Sequence, residues 1–358
     1  MKKQLIILTG GGTAGHVVPH IPIIKNLLNQ GHTVSYVGSK NGIERNIIKK
    51  QNITYYPIST GKLRRYFDFN NFIDIFRILY GFFQSLRIFL KTKPALVFSK
   101  GGFVSCPVVW AAWFYNIPVI IHESDISPGL ANRLCLPFCQ KICYSFTETK
   151  KYLPAKKSYH TGLPIRKSLK QGSEQTGKTL CGFNDRKPII LVIGGSSGSL
   201  RINSFTRYLL PDLLATYQVC HICGKNNICN TLENKNGYKQ FEFVEDDLKH
   251  LLAMSEIIIS RSGATSIFEF LALKKLNLLI PLSVKASRGD QILNARSFTK
   301  SGFSVFIEEE KLSKENLFTA LNELSANKKR YYQAMESKNI SNAEIKIINI
   351  IKQFLENY

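Results

Sequence analysis

The feature that most constrains this chain occurs twice. Leu5-Ile6-Ile7-Leu8 runs into Thr9-Gly10-Gly11-Gly12, and Ile189-Ile190-Leu191-Val192-Ile193 runs into Gly194-Gly195-Ser196. A short apolar strand followed at once by a glycine turn opens a doubly wound α/β unit, so two openings imply two such units. The 358 residues are enough for two domains of ordinary size. Short β-branched runs alternate with helical spacing, predicting strands at 4–8, 33–37, 95–98, 119–121, 188–193, 218–222, 256–259, 277–280 and 304–307, with crossover helices between them. The polar stretch 168–185 reads as a boundary loop. The crossover is expected just before it, at Thr161-Gly162-Leu163-Pro164, dividing the chain into 1–162 and 163–340. Ile345, Ile347, Ile348, Ile351, Phe354 and Leu355 stand at near-helical spacing and predict a terminal helix whose docking partner the sequence leaves open.

Composition narrows the function classes. Apolar residues at 44% and charged ones at 20% exclude a disordered or coiled-coil chain. The longest apolar stretch, 107–121, is broken by Asn116 and Pro118 and falls short of a membrane span. The N-terminal apolar run ends in glycines without a cleavage site, so it reads as a first strand and not as a signal peptide. Scattered cysteines predict reduced thiols in a cytosol. Cys220-x-x-Cys223, with His221 and Cys229 nearby, lacks the second ligand pair that zinc needs, so no metal is expected. The balance of 48 Lys+Arg against 25 Asp+Glu, +23, points either to polyanionic partners or to a lysine-rich solvated surface, and composition alone leaves both standing.

Gly10-Gly11-Gly12-Thr13-Ala14-Gly15-His16 matches GxGxxG between a strand and a helix, where glycines let backbone approach a phosphate or sugar. The second strand ends Val37-Gly38-Ser39-Lys40 and not in the acidic residue that holds a dinucleotide's ribose, which disfavours NAD. His16 closes the loop, and the following helix end is expected to hold its ring neutral and able to accept a proton; a histidine that merely caps a helix start is the plainer alternative. Ser99-Lys100-Gly101-Gly102-Phe103 and Gly194-Gly195-Ser196-Ser197-Gly198 are further glycine turns. Each alone is an ordinary connection, but three at strand carboxyl ends suggest a site for phosphates or sugars. His122-Glu123-Ser124-Asp125 offers either proton-transfer groups or caps for the helix beginning near Pro128. Ser260-Arg261-Ser262-Gly263-Ala264 opens a helix suited to a pyrophosphate, and Glu269, flanked by apolar residues, suits the hydroxyls of a ribose. Phe76, Leu79, Phe82 and Phe83, preceded by Lys62, Arg64 and Arg65, describe an interfacial helix wider in its apolar stripe than a buried crossover helix requires.

In order and spacing, Gly11-Gly12-Thr13-Ala14-Gly15-His16-Val17-Val18-Pro19, Lys100-Gly101-Gly102-Phe103-Val104-Ser105, His122-Glu123-Ser124-Asp125 with Pro128-Gly129-Leu130-Ala131-Asn132, Gly194-Gly195-Ser196-Ser197-Gly198, Ser260-Arg261-Ser262-Gly263-Ala264 with Glu269, and Asp290-Gln291-x-x-Asn294-Ala295 resemble the MurG family. The resemblance implies the GT-B architecture, two Rossmann-like doubly wound domains facing a cleft, with 341–358 returning to the first. It implies an inverting, metal-independent transfer of N-acetylglucosamine from UDP-N-acetylglucosamine to the 4-hydroxyl of the muramoyl sugar of undecaprenyl-linked lipid I, forming lipid II in peptidoglycan synthesis, without a cofactor. By the family's motifs, Arg166, Ser196, Asn203, Val244, Arg261, Ser262, Gly263, Ala264, Thr265, Glu269, Asp290, Gln291 and Asn294 serve the donor. Thr13, Ala14, Gly15, Gly101, Gly102, Asp125 and Asn132 serve the acceptor. His16 is the expected general base, with Glu123 its rival and Asp125 third. The resemblance also places the protein peripherally on the cytoplasmic face of the cell membrane, against an anionic surface and beside other cell-wall synthesis proteins.

Other classes fare worse. A nucleic-acid binder would show a basic-aromatic recognition module, and none is visible. A dehydrogenase lacks its acidic ribose ligand. Other GT-B transferases, acting on diacylglycerol or sterols, are the serious alternative.

Overall fold

The computed structural model describes residues 3–61, 70–184, 186–195, 198–284, 286–338 and 342–356. The chain divides into two compact units, Met1–Arg166 with Ile340–Tyr358, and Lys167–Asn339, so the division falls a little beyond Gly162.

Among the described residues of the first unit, seven parallel strands are β1 (Leu5–Thr9), β2 (Thr33–Ser39), β3 (Thr54–Ile58), β4 (Leu96–Ser99), β5 (Val119–Glu123), β6 (Lys141–Tyr144) and β7 (Ser158–His160). Their order is β3-β2-β1-β4-β5-β6-β7, which puts β1 and β4 side by side at the point where the winding reverses. Ile6, Ile7 and Leu8 have no exposed surface because helices cover both faces of a parallel sheet. The sequence reading omitted β3, whose Pro57 is tolerated because the strand is an edge, and it also omitted β6 and β7.

The second unit has, among its described residues, β8 (Ile189–Ile193), β9 (Gln218–Ile222), β10 (Tyr238–Phe241), β11 (Ile257–Ser260), β12 (Leu276–Leu279) and β13 (Val305–Phe306). They are parallel in the order β10-β9-β8-β11-β12-β13, again with the first strand of the unit beside the strand after the reversal. The expected boundary loop at 168–185 contains a helix, Glu174–Cys181. Ser173 caps it by accepting from Thr176 N at 3.3 Å, and Gly182 ends it in the left-handed conformation at φ 68°. The polar residues that suggested a loop are its capping signals.

The terminal helix Ala343–Leu355 packs on the helix His20–Asn29 of the first unit. Ile347, Ile348, Ile351 and Leu355 join Ile6, Leu8, Ile23, Ile24 and Leu27 in one core. Each buried aliphatic side chain contributes roughly 1.5–3 kcal/mol relative to exposure. Gln4 Nε2 donates to the carbonyl of Leu355 at 3.1 Å, and Asn26 Nδ2 to Glu344 Oε1 at 2.6 Å.

Candidate active site

In the first unit, the loops after β1, β4 and β5 meet at the carboxyl edge of the sheet. Gly11 N donates to Gly101 O at 3.3 Å, joining the first two loops. Gly102, at φ +81°, is approached so closely that a Cβ would lie 2.2 Å from the carbonyl oxygen of Gly11, so no other residue fits without displacing backbone. A Cβ on Gly101 would lie 2.6 Å from Asn132 Oδ1, an oxygen buried without a hydrogen-bond partner among the described residues.

His16 is the last residue of a short 3₁₀ turn, Ala14–His16, and the following helix begins only at His20. The expected helix-end field therefore does not act directly on it. Its ring is fixed by Nδ1, 3.0 Å from the carbonyl oxygen of Lys100. A carbonyl only accepts, so Nδ1 carries the hydrogen, and in the neutral ring Nε2 carries the lone pair that a base needs. Thr13 is exposed, and Ala14, Gly15 and His16 are half-buried beside it.

Glu123 is placed differently from a poised base. It is 3% exposed, its Oε1 accepts from Asp125 N at 3.0 Å, and its Oε2 accepts from Gly129 N at 3.1 Å and Asn132 Nδ2 at 2.7 Å. Its carboxylate holds the turn 124–129 and orients Asn132 against the glycine loop. Asp125 is half-buried at that turn.

The sequence reading passed over Lys100 as a site residue. It has no exposed surface, and its Nζ lies 2.6 Å from both His122 Nδ1 and Ser124 Oγ. Burial pushes its ammonium down to about 7, opposed by Glu123, Asp125 and Cys143. His122 Nε2 donates to Gly162 O at 2.9 Å, leaving Nδ1 to accept, and burial with the neighbouring Lys100 holds the ring well below the usual histidine range. The signal was legible: a lysine ending the apolar strand Leu96-Val97-Phe98-Ser99, where a charge needs a reason.

In the second unit, Ser196 lies outside the described residues. Gly195, at φ +95°, and Gly263, the N-cap of the helix Ala264–Ala272, both border open space, and no side chain of Gly263 caps the first-turn amides. A helix start of this kind favours an anion. Arg261 is placed otherwise than a phosphate clamp. Nη1 donates to the carbonyls of Ile280 and Pro281 at 3.1 Å each, and Nη2 to Ser199 Oγ at 2.8 Å and Glu309 Oε1 at 2.5 Å. All four η hydrogens thus serve the fold. Ser262 Oγ donates to Gln291 O at 2.8 Å, Asn294 Nδ2 to Ser262 O at 3.2 Å, and Leu282 N to Gln291 Oε1 at 3.0 Å, stitching this turn to the helix Asp290–Lys300. Asp290 pairs with Arg288 at 3.4 Å.

Asn203 is 1% exposed, with Nδ2 donating to Cys223 O at 2.7 Å and Oδ1 accepting from His221 Nε2 at 3.0 Å, so it braces the glycine turn from below. Glu269 is buried, Val244 and Thr265 are half-buried, and half-buried Arg166 closes the first unit. The eight cysteines are free thiols, and no group of His, Cys, Asp or Glu among the described residues is arranged to hold a metal ion.

The apolar stripe of the helix Asn70–Thr92 is exposed: Phe76 71%, Phe83 62% and Leu79 48%. Phe82 is half-buried, its ring packed edge-on against Phe83 and Phe114, so it supports the stripe and does not extend it. Trp113, Phe114 and Tyr115, absent from the sequence reading, widen the same surface. Lys62, Arg64 and Arg65 lie outside the described residues, and no described helix is long and apolar enough to cross a membrane.

Two parallel doubly wound units with glycine turns at their strand ends make up the GT-B architecture. Residues 6–144 match the glycosyltransferase family 28 N-terminal domain and 189–351 its C-terminal domain. The UDP-N-acetylglucosamine--N-acetylmuramyl-(pentapeptide) pyrophosphoryl-undecaprenol N-acetylglucosamine transferase of Clostridium tetani is 53% identical over 99% of both chains. The Clostridium novyi protein of that name is 51% identical over 99% of both. The Acinetobacter baumannii MurG crystal structure, 24% identical, superposes with a TM-score of 0.74 over 98% of this chain and 100% of that one. The chain belongs to the MurG family of N-acetylglucosaminyltransferases.

Proposed function

We propose that the chain transfers N-acetylglucosamine from UDP-N-acetylglucosamine to the 4-hydroxyl of the muramoyl sugar of undecaprenyl-linked lipid I, making lipid II. The observation that carries this reading is identity of 51–53% over 99% of the length of relatives bearing that activity in their names, a span that takes in both units. The second unit receives the donor, with the helix start at 263–264 toward the diphosphate and Glu269 toward the ribose. The first unit receives the acceptor at Thr13, Ala14, Gly15, His16, Gly101, Gly102 and Asn132.

The hydroxyl oxygen attacks the anomeric carbon from the side opposite UDP. The bond to the diphosphate oxygen breaks with its electron pair leaving on UDP, and the hydroxyl proton passes to His16 Nε2, inverting the anomeric centre. Helix-start amides stabilise the charge that develops on the departing diphosphate, work a metal ion performs elsewhere. The exposed stripe around Phe76, Leu79 and Phe83 seats the protein peripherally on the anionic cytoplasmic membrane face, where its lipid acceptor lies.

Radiolabelled UDP-N-acetylglucosamine offered with lipid I and, separately, with diacylglycerol tests the reading. Label should enter the lipid I product alone. Transfer to diacylglycerol in its place would move the chain to a different acceptor class.

A further inference from the structure

The proposed chemistry uses His16, the glycine loops and the acceptor amide of Asn132, but it leaves Lys100 without a task. A lysine with no exposed surface costs stability that a methionine of similar volume would not. Its contacts are unusually distributed. Its backbone N donates to Thr9 O at 2.9 Å, and its carbonyl accepts from His16 Nδ1 at 3.0 Å. Its Nζ donates to His122 Nδ1 and Ser124 Oγ, at 2.6 Å each. One residue thereby ties the ends of β1, β4 and β5 to the residue expected to take the proton. The ionisable groups around it are His16 and His20 from the segment after β1, His122, Glu123 and Asp125 from β5 and its turn, and Cys143 from β6. Glu123 is nearly fully buried, and its charge, with that of Asp125, favours the ammonium of Lys100.

We infer that Lys100 is a positioning residue of the acceptor site, holding His16 through its carbonyl and the His122–Asp125 turn through its ammonium, so that base and acceptor subsite keep one geometry. This rests on the acceptor reading of the first unit. Losing the ammonium's charge weakens its contacts to His122 and Ser124 and its attraction to Glu123 and Asp125, which loosens the turn that orients Asn132. The charged form is present below a pH of about 7 and is lost above it. Acceptor use therefore falls on the alkaline side because of Lys100, and on the acid side because His16 must be neutral.

The test is kinetic, on the full chain, with lipid I and UDP-N-acetylglucosamine varied separately across pH. Lys100→Met should lower kcat/KM for lipid I by roughly ten- to a hundredfold, the scale of a misplaced catalytic geometry, while leaving the KM for the donor unchanged. It should also remove the alkaline limb of the profile. Ser124→Ala should act in the same direction less strongly, and non-additively with Lys100→Met. Should Lys100→Met fail to fold, Ser124→Ala alone decides, since wild-type lipid I kinetics and an unshifted alkaline limb in that variant would overturn the role. A Lys100→Met enzyme with wild-type kinetics and an intact alkaline limb, or one impaired equally toward donor and acceptor, would overturn it as well. A wild-type chain inert toward lipid I would instead sink the functional reading, and this role with it.

Discussion

Nδ1 of His16 lies 3.0 Å from the carbonyl oxygen of Lys100, and this contact decides which ring nitrogen can work as a base. Replacing His16 by Ala removes the proton acceptor but leaves the glycine turns. Turnover should drop by roughly a hundred- to ten-thousandfold, the usual worth of general-base catalysis, with UDP affinity in calorimetry nearly unchanged. Turnover surviving in His16→Ala but lost in a folded Glu123→Ala would transfer the role to Glu123.

Stability of the first unit should decline in mild acid. His20 and His122 are held well below 6.5 by burial, so the folded chain keeps them neutral while the unfolded chain protonates them. The penalty is absent above 6.5 and grows as pH falls, by about 1.4 kcal/mol per unit per histidine until the folded value is reached. Urea denaturation between pH 8 and pH 5 measures the slope. In His20→Phe, which keeps an aromatic ring between Tyr36 and Phe98, the slope should lose one histidine's share; an unaltered slope would show that His20 contributes nothing to it.

The second unit depends on Arg261 as a tie. Arg261→Met strands the Glu309 carboxylate, whose side chain is only 15% exposed, together with the carbonyls of Ile280 and Pro281. A loss of about 3–5 kcal/mol is expected, as when one partner of a buried ion pair is removed. Adding Glu309→Leu should recover part of it. Undiminished stability in Arg261→Met, read by denaturant titration, would free the guanidinium for a ligand role.

Membrane attachment should respond to Phe76 and Phe83 more than to Phe82. Changing the two exposed rings to Ser removes surface worth roughly 1.5–3 kcal/mol each when buried in an interface, so vesicle co-sedimentation should fall at least about tenfold. Salt should weaken wild-type binding to anionic vesicles, because each basic residue near the surface adds about 1 kcal/mol. Indifference to both treatments would remove the stripe from any membrane role.

What the sequence made legible follows from how strongly each element must declare itself. β1, β5 and β8 are central strands buried on both faces, so the apolar runs 5–8, 119–121 and 189–193 announced them. β3 and β10 are edges, and β6 and β7 are short, so Thr54-Tyr55-Tyr56-Pro57 and Ser158-Tyr159-His160 carry no such run. The turn at 101–102 was legible because close backbone approach at Gly102 against Gly11 admits no other residue. The work done by Arg261, Asn203 and Glu123 was not legible. Their partners, Ile280, Cys223 and Gly129 among them, are mostly backbone groups, and backbone groups leave no trace in residue identity.

The return of Ala343–Leu355 to the first unit bears on how the chain is born. A ribosome releases the first sheet long before Ile347, Ile348, Ile351 and Leu355 exist, so the apolar surface of Ile23, Ile24 and Leu27 waits uncovered while the whole second unit is synthesised. Truncations or fusions at the carboxyl terminus will accordingly be felt as misfolding of the amino-terminal half.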